Sequence, residues 1–199
     1  MSFPVAIRPN TSRRKFRVLG IDPAVAGATG YGIVEFEGAA PHLLRFGALK
    51  LPVRASFAAR LREIHKLIEN LVEEFAPDAV AVESVFTALN MRTALRLAEM
   101  RGVVLLAAAQ AQIPAHSYSP REVKASVVGY GAASKQQMQQ MVSSLLGLAT
   151  YPEPADAADA LAVALCHAHV SQAHERMAAA TGIRNAAAAP RIRTRAARV

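Results

Sequence analysis

The spacing of the turns limits the sheet this chain can build. Three apolar runs, 16–22, 30–36 and 43–51, follow one another with only a few residues between them. Connections that short join antiparallel neighbours, so the three read as a meander. Gly27, Gly30 and Gly32 mark the first turn, and Glu37-Gly38 with Pro41 mark the second. Two more short runs, 79–82 and Ala115–Tyr118, each come after a helix-length segment. In Phe57–Phe75, Leu61, Ile64, Leu67, Ile68, Leu71 and Val72 keep helical spacing, with Ser56 as the cap. The second helix covers 91–112 and ends at Ile113-Pro114. A strand reached through a helix joins its sheet in parallel. The expectation is an α/β fold with a mixed five-stranded sheet flanked by helices. Three further helices close the chain: Pro120–Val128 after Ser119, 135–146 after Ser134, and one opened by Asp156 beyond Tyr151-Pro152-Glu153-Pro154.

The net charge of +8 is unevenly spread. Residues 1–18 and 176–199 carry 11 of the 23 basic residues and no acid, leaving 12 basic against 15 acidic residues between 19 and 175. The body is therefore slightly acidic, and its ends can attract a phosphate backbone without regard to sequence. The expected organisation is a basic extension over 1–15, one domain over 16–175, and an Ala/Arg-rich, disordered tail over 176–199. Cys166 is the single cysteine, which excludes an internal disulfide and fits a reducing compartment. No apolar stretch reaches the roughly 20 residues that span a bilayer, and no signal-peptide core is present, so the expected location is cytoplasmic.

Four carboxylates stand out. Asp22 closes the first strand and Glu83 closes the fourth, while Asp156 and Asp159 open the last helix. Each has an ordinary explanation. Asp22-Pro23 is a turn starter, and Asp156 can cap its helix while Asp159 favours the helix dipole. Glu83 is harder to explain, because it continues a Val/Ala strand where a charge is costly. Acids gathered at the ends of buried elements need a cation among them, and Mg²⁺ takes oxygen ligands. That combination points to phosphoryl-transfer chemistry.

The segments Gly20-Ile21-Asp22-Pro23 with Thr29-Gly30-Tyr31-Gly32, then Val82-Glu83-Ser84-Val85-Phe86, Arg121-Glu122-Val123-Lys124 and Asp156-Ala157-Ala158-Asp159-Ala160-Leu161-Ala162 resemble the RuvC family. These are bacterial Holliday junction resolvases with an RNase H-like fold, and the resemblance runs in order from about residue 16 to 174. It implies that Asp22, Glu83, Asp156 and Asp159 are catalytic carboxylates holding two Mg²⁺ ions, with Mn²⁺ able to substitute. It also implies that Phe86 stacks on or wedges between bases at the branch point, and that Lys124 and Lys135 meet DNA phosphates. The implied partners are four-way junction DNA, a second copy of the chain and a RuvA–RuvB branch-migration complex. Two positions depart from the pattern: Ala24 stands where the family usually has Gly, in a loop one residue longer, and Leu89 stands where many relatives carry Lys.

Other groups have plainer roles. His167 and His169 are two apart on a helix, a spacing that does not aim both at one ion, so they read as packing or surface residues. Gly27, Gly30 and Gly32 lie between strands, so the dinucleotide fingerprint fails. The helix over 91–112 is apolar nearly all round, and its outer side is expected to meet the partner in a homodimer. Three rival readings share some of these features: a junction-binding scaffold without catalysis, an actin-like ATPase, and an RNase H-like nuclease acting on RNA.

Overall fold

The computed structural model describes residues 15–25, 27–84 and 90–181. Phe86, Leu89 and the segments 1–14 and 182–199 lie outside the described residues. In chain order the elements are β1 (Lys15–Asp22), β2 (Thr29–Glu37), β3 (Ala40–Leu49), α1 (Phe57–Phe75), β4 (Ala79–Glu83), α2 (Met91–Gln110), β5 (Ala115–Tyr118), α3 (Pro120–Val128), α4 (Lys135–Leu145) and α5 (Ala155–Thr181). The sheet order is β3-β2-β1-β4-β5. Strands β1, β2 and β3 pair antiparallel, whereas β4 and β5 add in parallel beyond β1. Both expected crossovers are present, and the mixed sheet is as expected.

Side-chain alternation sorts the two faces. Leu19, Ile21, Ile33, Val80 and Val82 face one side, where Ile64, Ile68 and Leu71 of α1 and Met100 and Val104 of α2 cover them. Val18, Val34, Phe36 and Ala81 face the other side, against Leu161, Leu165 and their neighbours on α5. Helices α3 and α4 lie over α5 in turn, through Val123, Val127, Met138 and Val142. Layered on both sides, α5 is buried without a break from Ala160 to Ala168. That explains why its sequence is apolar all round.

Three details differ from the sequence reading. Gly30 and Gly32 lie inside β2, opposite Asp22 and Gly20 of β1, and do not form the turn. Pro41 lies inside β3, which tolerates it because β3 is an edge strand that can spare an N–H. Helix α5 continues to Thr181, so residues 176–181 are helical where a disordered tail was expected to start. Among the described residues no helix is long and apolar enough to cross a membrane.

The glycines within the strands bring α5 down onto the sheet. A Cβ on Gly20 would run into the carbonyl oxygen of Ala160, and one on Gly30 into the carbonyl of Asp156. A Cβ on Gly32 would strike the Leu161 side chain. At the first two positions the obstacle is backbone, which no rotamer change can clear. Gly30→Ala should therefore lower stability by about 2–3 kcal/mol, as overpacking does, measured by urea unfolding. A loss below about 0.5 kcal/mol would mean that α5 lifts off freely and that the close contact constrains nothing.

Candidate active site

The sheet register brings the first two acids together. Ile21 of β1 pairs in parallel with Val82 of β4, so Asp22 and Glu83 follow side by side at the carboxyl edge. Ile21 and Val82 face α1 and α2, and alternation therefore turns Asp22 and Glu83 to the α5 side. Gly30, opposite Asp22 on β2, supports the backbone of Asp156, which places the first turn of α5 beside them. Asp156 and Asp159 are one turn apart on that helix. The helix begins at Ala155, so Asp156 sits within its first turn and is not its cap.

The electrostatics follow from this convergence. Asp22 is held well above its ordinary range, first by burial and then by the charge of Glu83, with Asp159 and Asp156 adding to the effect. Glu83 is also raised, chiefly by burial, while its hydrogen bond with Asp22 pulls the other way. The two carboxyls are hydrogen-bonded to each other, and burial disfavours charge on both. Two lysines face the four acids. Lys135 Nζ lies 3.0 Å from Asp159 Oδ2, and Lys124 and Lys135 both draw on Glu83 at longer range. Glu83, Lys124, Lys135 and Asp159 line one cavity of about 230 Å³, floored by Val123, Met138 and Val163.

Both lysines ride on capped helices. Ser119 Oγ accepts from the Glu122 N–H, and the Glu122 carboxylate accepts from the Ser119 N–H, which fixes the start of the helix bearing Lys124. Ser134 and Gln137 make the same reciprocal pair at 3.2 and 2.8 Å around Lys135, and the Tyr130 hydroxyl donates to Gln137 as well.

Among the described residues, no three His, Cys, Asp or Glu side chains stand close enough, as placed, to grip one ion. The donor chemistry nonetheless suits a hard divalent cation. The donors are all carboxylate oxygens, the acids outnumber the lysines, and two of the carboxyls are raised by burial and by their acidic neighbours.

Other expected residues fall outside the cluster. His167 is buried, accepts from or donates to the Tyr118 hydroxyl at 2.7 Å, and stacks on His116 with centroids 4.4 Å apart. Burial, and after it His116, bring His167 down to about 4, so it packs as a neutral ring. His169 meets Ser126 on α3. The sequence reading missed the support that Gly30 gives Asp156 and the contact between Lys135 and Asp159. A glycine inside a β-rich run was the available signal for the first. Nothing in the sequence signalled the second, which joins residues 24 apart.

A mixed sheet in this order, with acids from two adjacent strands and a helix meeting at its carboxyl edge, defines an RNase H-like fold. The family model for crossover junction endodeoxyribonuclease RuvC matches residues 18–167. The chain is 48% identical over 160 residues to the RuvC of Chloroflexus aurantiacus, covering 80% of this chain and 97% of the relative. It is similar to the structure of Thermus thermophilus RuvC, with 35% identity, a TM-score of 0.73, and coverage of 80% of this chain and 97% of that one. A second structure, T. thermophilus RuvC in complex with a Holliday junction substrate, aligns with a TM-score of 0.74 at 35% identity, over 80% of this chain and 96% of that one. This chain belongs to the RuvC family.

Without metal, the raised Asp22 and Glu83 make stability depend on pH. Both shifts are upward, so the native state holds protons that the unfolded chain has released. Stability then falls as pH rises from the ordinary carboxylate range through the raised native values. Asp22→Asn removes the principal group. In EDTA at neutral pH this variant should unfold at a higher temperature than the parent, with the difference closing as pH drops to about 4. Equal midpoints at neutral pH would show that burial among acids costs Asp22 nothing.

Proposed function

We propose that this chain is a divalent-metal-dependent endonuclease that resolves four-way DNA junctions by paired, symmetric nicks. The observation that carries this reading is the cluster itself: four acids from three parts of the chain, of which Glu83 and Asp159 line an open cavity together with Lys124 and Lys135. Asp22, Glu83, Asp156 and Asp159 would hold the metal. When bound, two Mg²⁺ ions, or Mn²⁺ in their place, supply an activated water on one side of the scissile phosphate and charge for the leaving 3′ oxygen on the other.

The chain's own residues do the rest. The carboxyl edge of the sheet orients the acids, and Lys124 and Lys135 hold the phosphate from the opposite wall. Water's oxygen ends on a 5′-phosphate, the P–O3′ bond breaks, and the leaving oxygen becomes a 3′-hydroxyl. Phe86, three residues beyond Glu83, is proposed to stack at the branch point, where a base–aromatic contact contributes about 1–3 kcal/mol. The basic segments 1–15 and 176–199 add attraction to any DNA. A RuvA–RuvB complex would deliver the junction in the cytoplasm.

Paired nicking needs two sites, which a twofold dimer supplies. In the single chain, Met91, Leu95 and Leu106 on α2 stand exposed along one side, while Met100, Val104 and Ala108 are buried against the sheet. That exposed side is the proposed contact with the second copy.

Two experiments test these statements. Cleavage of a synthetic mobile four-way junction with Mg²⁺, mapped on all strands, should give symmetric nicks. Asp22→Asn, Glu83→Gln, Asp156→Asn and Asp159→Asn should each reduce single-turnover cleavage by at least about 100-fold with junction binding retained, because the amide keeps the shape and loses the ligand charge. A variant that cuts at near the parent rate takes its residue out of the catalytic set. Separately, Leu106→Glu would bury an unpaired charge at the twofold contact, so it should sediment as a monomer where the parent is a dimer. If the parent is itself monomeric at micromolar concentration and still makes paired cuts, the dimer proposal is wrong.

A further inference from the structure

Lys135 occupies an unusual position. It is the first residue of α4, where the helix dipole is positive and a cation is unfavourable. The helix does not need its charge there, since Ser134 and Gln137 already satisfy the free backbone groups. Its ammonium reaches across the cavity to Asp159, 24 residues on, at 3.0 Å. The lysine side chain is 60% exposed and the aspartate 33% exposed. An ion pair this open is held weakly and can be exchanged at little cost. The bond also takes a carboxylate oxygen from a cluster in which no three candidate ligands yet converge on one point.

We infer that Lys135 is a displaceable internal counter-ion, which holds Asp159 in the free protein and gives it up when a divalent cation takes the carboxylate and a DNA phosphate takes the ammonium. This rests on the metal-dependent reading of the site. The cation and the lysine compete for one oxygen, and they also repel each other across the cavity. A phosphate that draws Lys135 away relieves both effects. Metal and DNA therefore assist each other's binding through this side chain, and the assistance is reciprocal. Free protein would bind metal poorly by design, and the site would complete itself only where a backbone is present to be cut. Lys124 provides the comparison. It lines the same cavity and acts on Glu83, whereas the ion pair to Asp159 belongs to Lys135.

The test is Mn²⁺ binding to the full-length chain without DNA, read from the paramagnetic resonance signal of free Mn²⁺. Lys135→Met should bind Mn²⁺ roughly three- to tenfold more tightly than the parent, since an exposed pair and its repulsion are both removed. Lys135→Arg keeps the charge and should stay near the parent, and Lys124→Met should change affinity distinctly less than Lys135→Met. With duplex DNA present the parent should approach the affinity of Lys135→Met. Saturable Mn²⁺ binding that Lys135→Met leaves unchanged or weakens would overturn the counter-ion role while leaving the metal site intact. An equal gain in both Met variants would overturn it in favour of a general field effect. If neither the parent nor any variant binds Mn²⁺ saturably, with or without DNA, the metal-dependent reading itself fails.

Discussion

The close seating of α5 on the glycines of β1 and β2 organises everything else in this molecule. A helix resting on side chains usually stands about 10 Å from a sheet and can shift as those side chains repack. Here the carbonyl groups of Asp156 and Ala160 come down where the Cβ atoms of Gly30 and Gly20 would be. Backbone against backbone leaves few alternative positions. Because the same helix begins with Asp156 and Asp159, its seating sets the distance between those acids and the strand-end pair Asp22 and Glu83.

The sheet divides the work between its faces. The α1 and α2 side is an aliphatic layer from Leu19 to Val104, with the Arg17–Glu35 ion pair at its edge. The α5 side carries the four acids, and its upper wall is made by α3 and α4, whose capping boxes fix the starts of the helices that bear Lys124 and Lys135. Neither set of charges is comfortable alone. Burial disfavours charge on Asp22, and Lys135 stands at the wrong end of its helix, where its ion pair with Asp159 offsets the dipole. The free protein thus holds opposite charges, only partly matched, around one cavity. Polar groups left in that condition favour ligands that bring complementary charge.

Much of this was legible in the residues. Turn spacing gave the antiparallel meander, helix-length gaps gave the parallel additions, and Glu83 at the end of a Val/Ala strand was conspicuous because a buried charge needs a reason. What escaped the sequence reading depends on contacts between distant segments. Gly30 and Gly32 carry the local signature of a turn, and only the helix lying on them shows why a strand would spend two positions without side chains. The meeting of Lys135 with Asp159 arises from the angle between α4 and α5, which no local pattern encodes. Helix α5 outran its expected end at 175 because its final turns, largely exposed, have no glycine or proline before Gly182 to stop them.

The contact under α5 also governs which sequence changes are open to the chain over time. Where side chains interlock, an enlarged residue can be accommodated by a smaller neighbour, and paired drift leaves the fold in place. At Gly20 and Gly30 no neighbour can shrink, since the obstructing atoms are main chain. An added methyl could be accepted only by moving the whole helix, and Asp156 and Asp159 would move with it. Lineages can therefore explore new residues along the exposed edge of β3 or the outer turns of α5 with little consequence. At the two glycines, a change in packing is also a change in the placing of the acids.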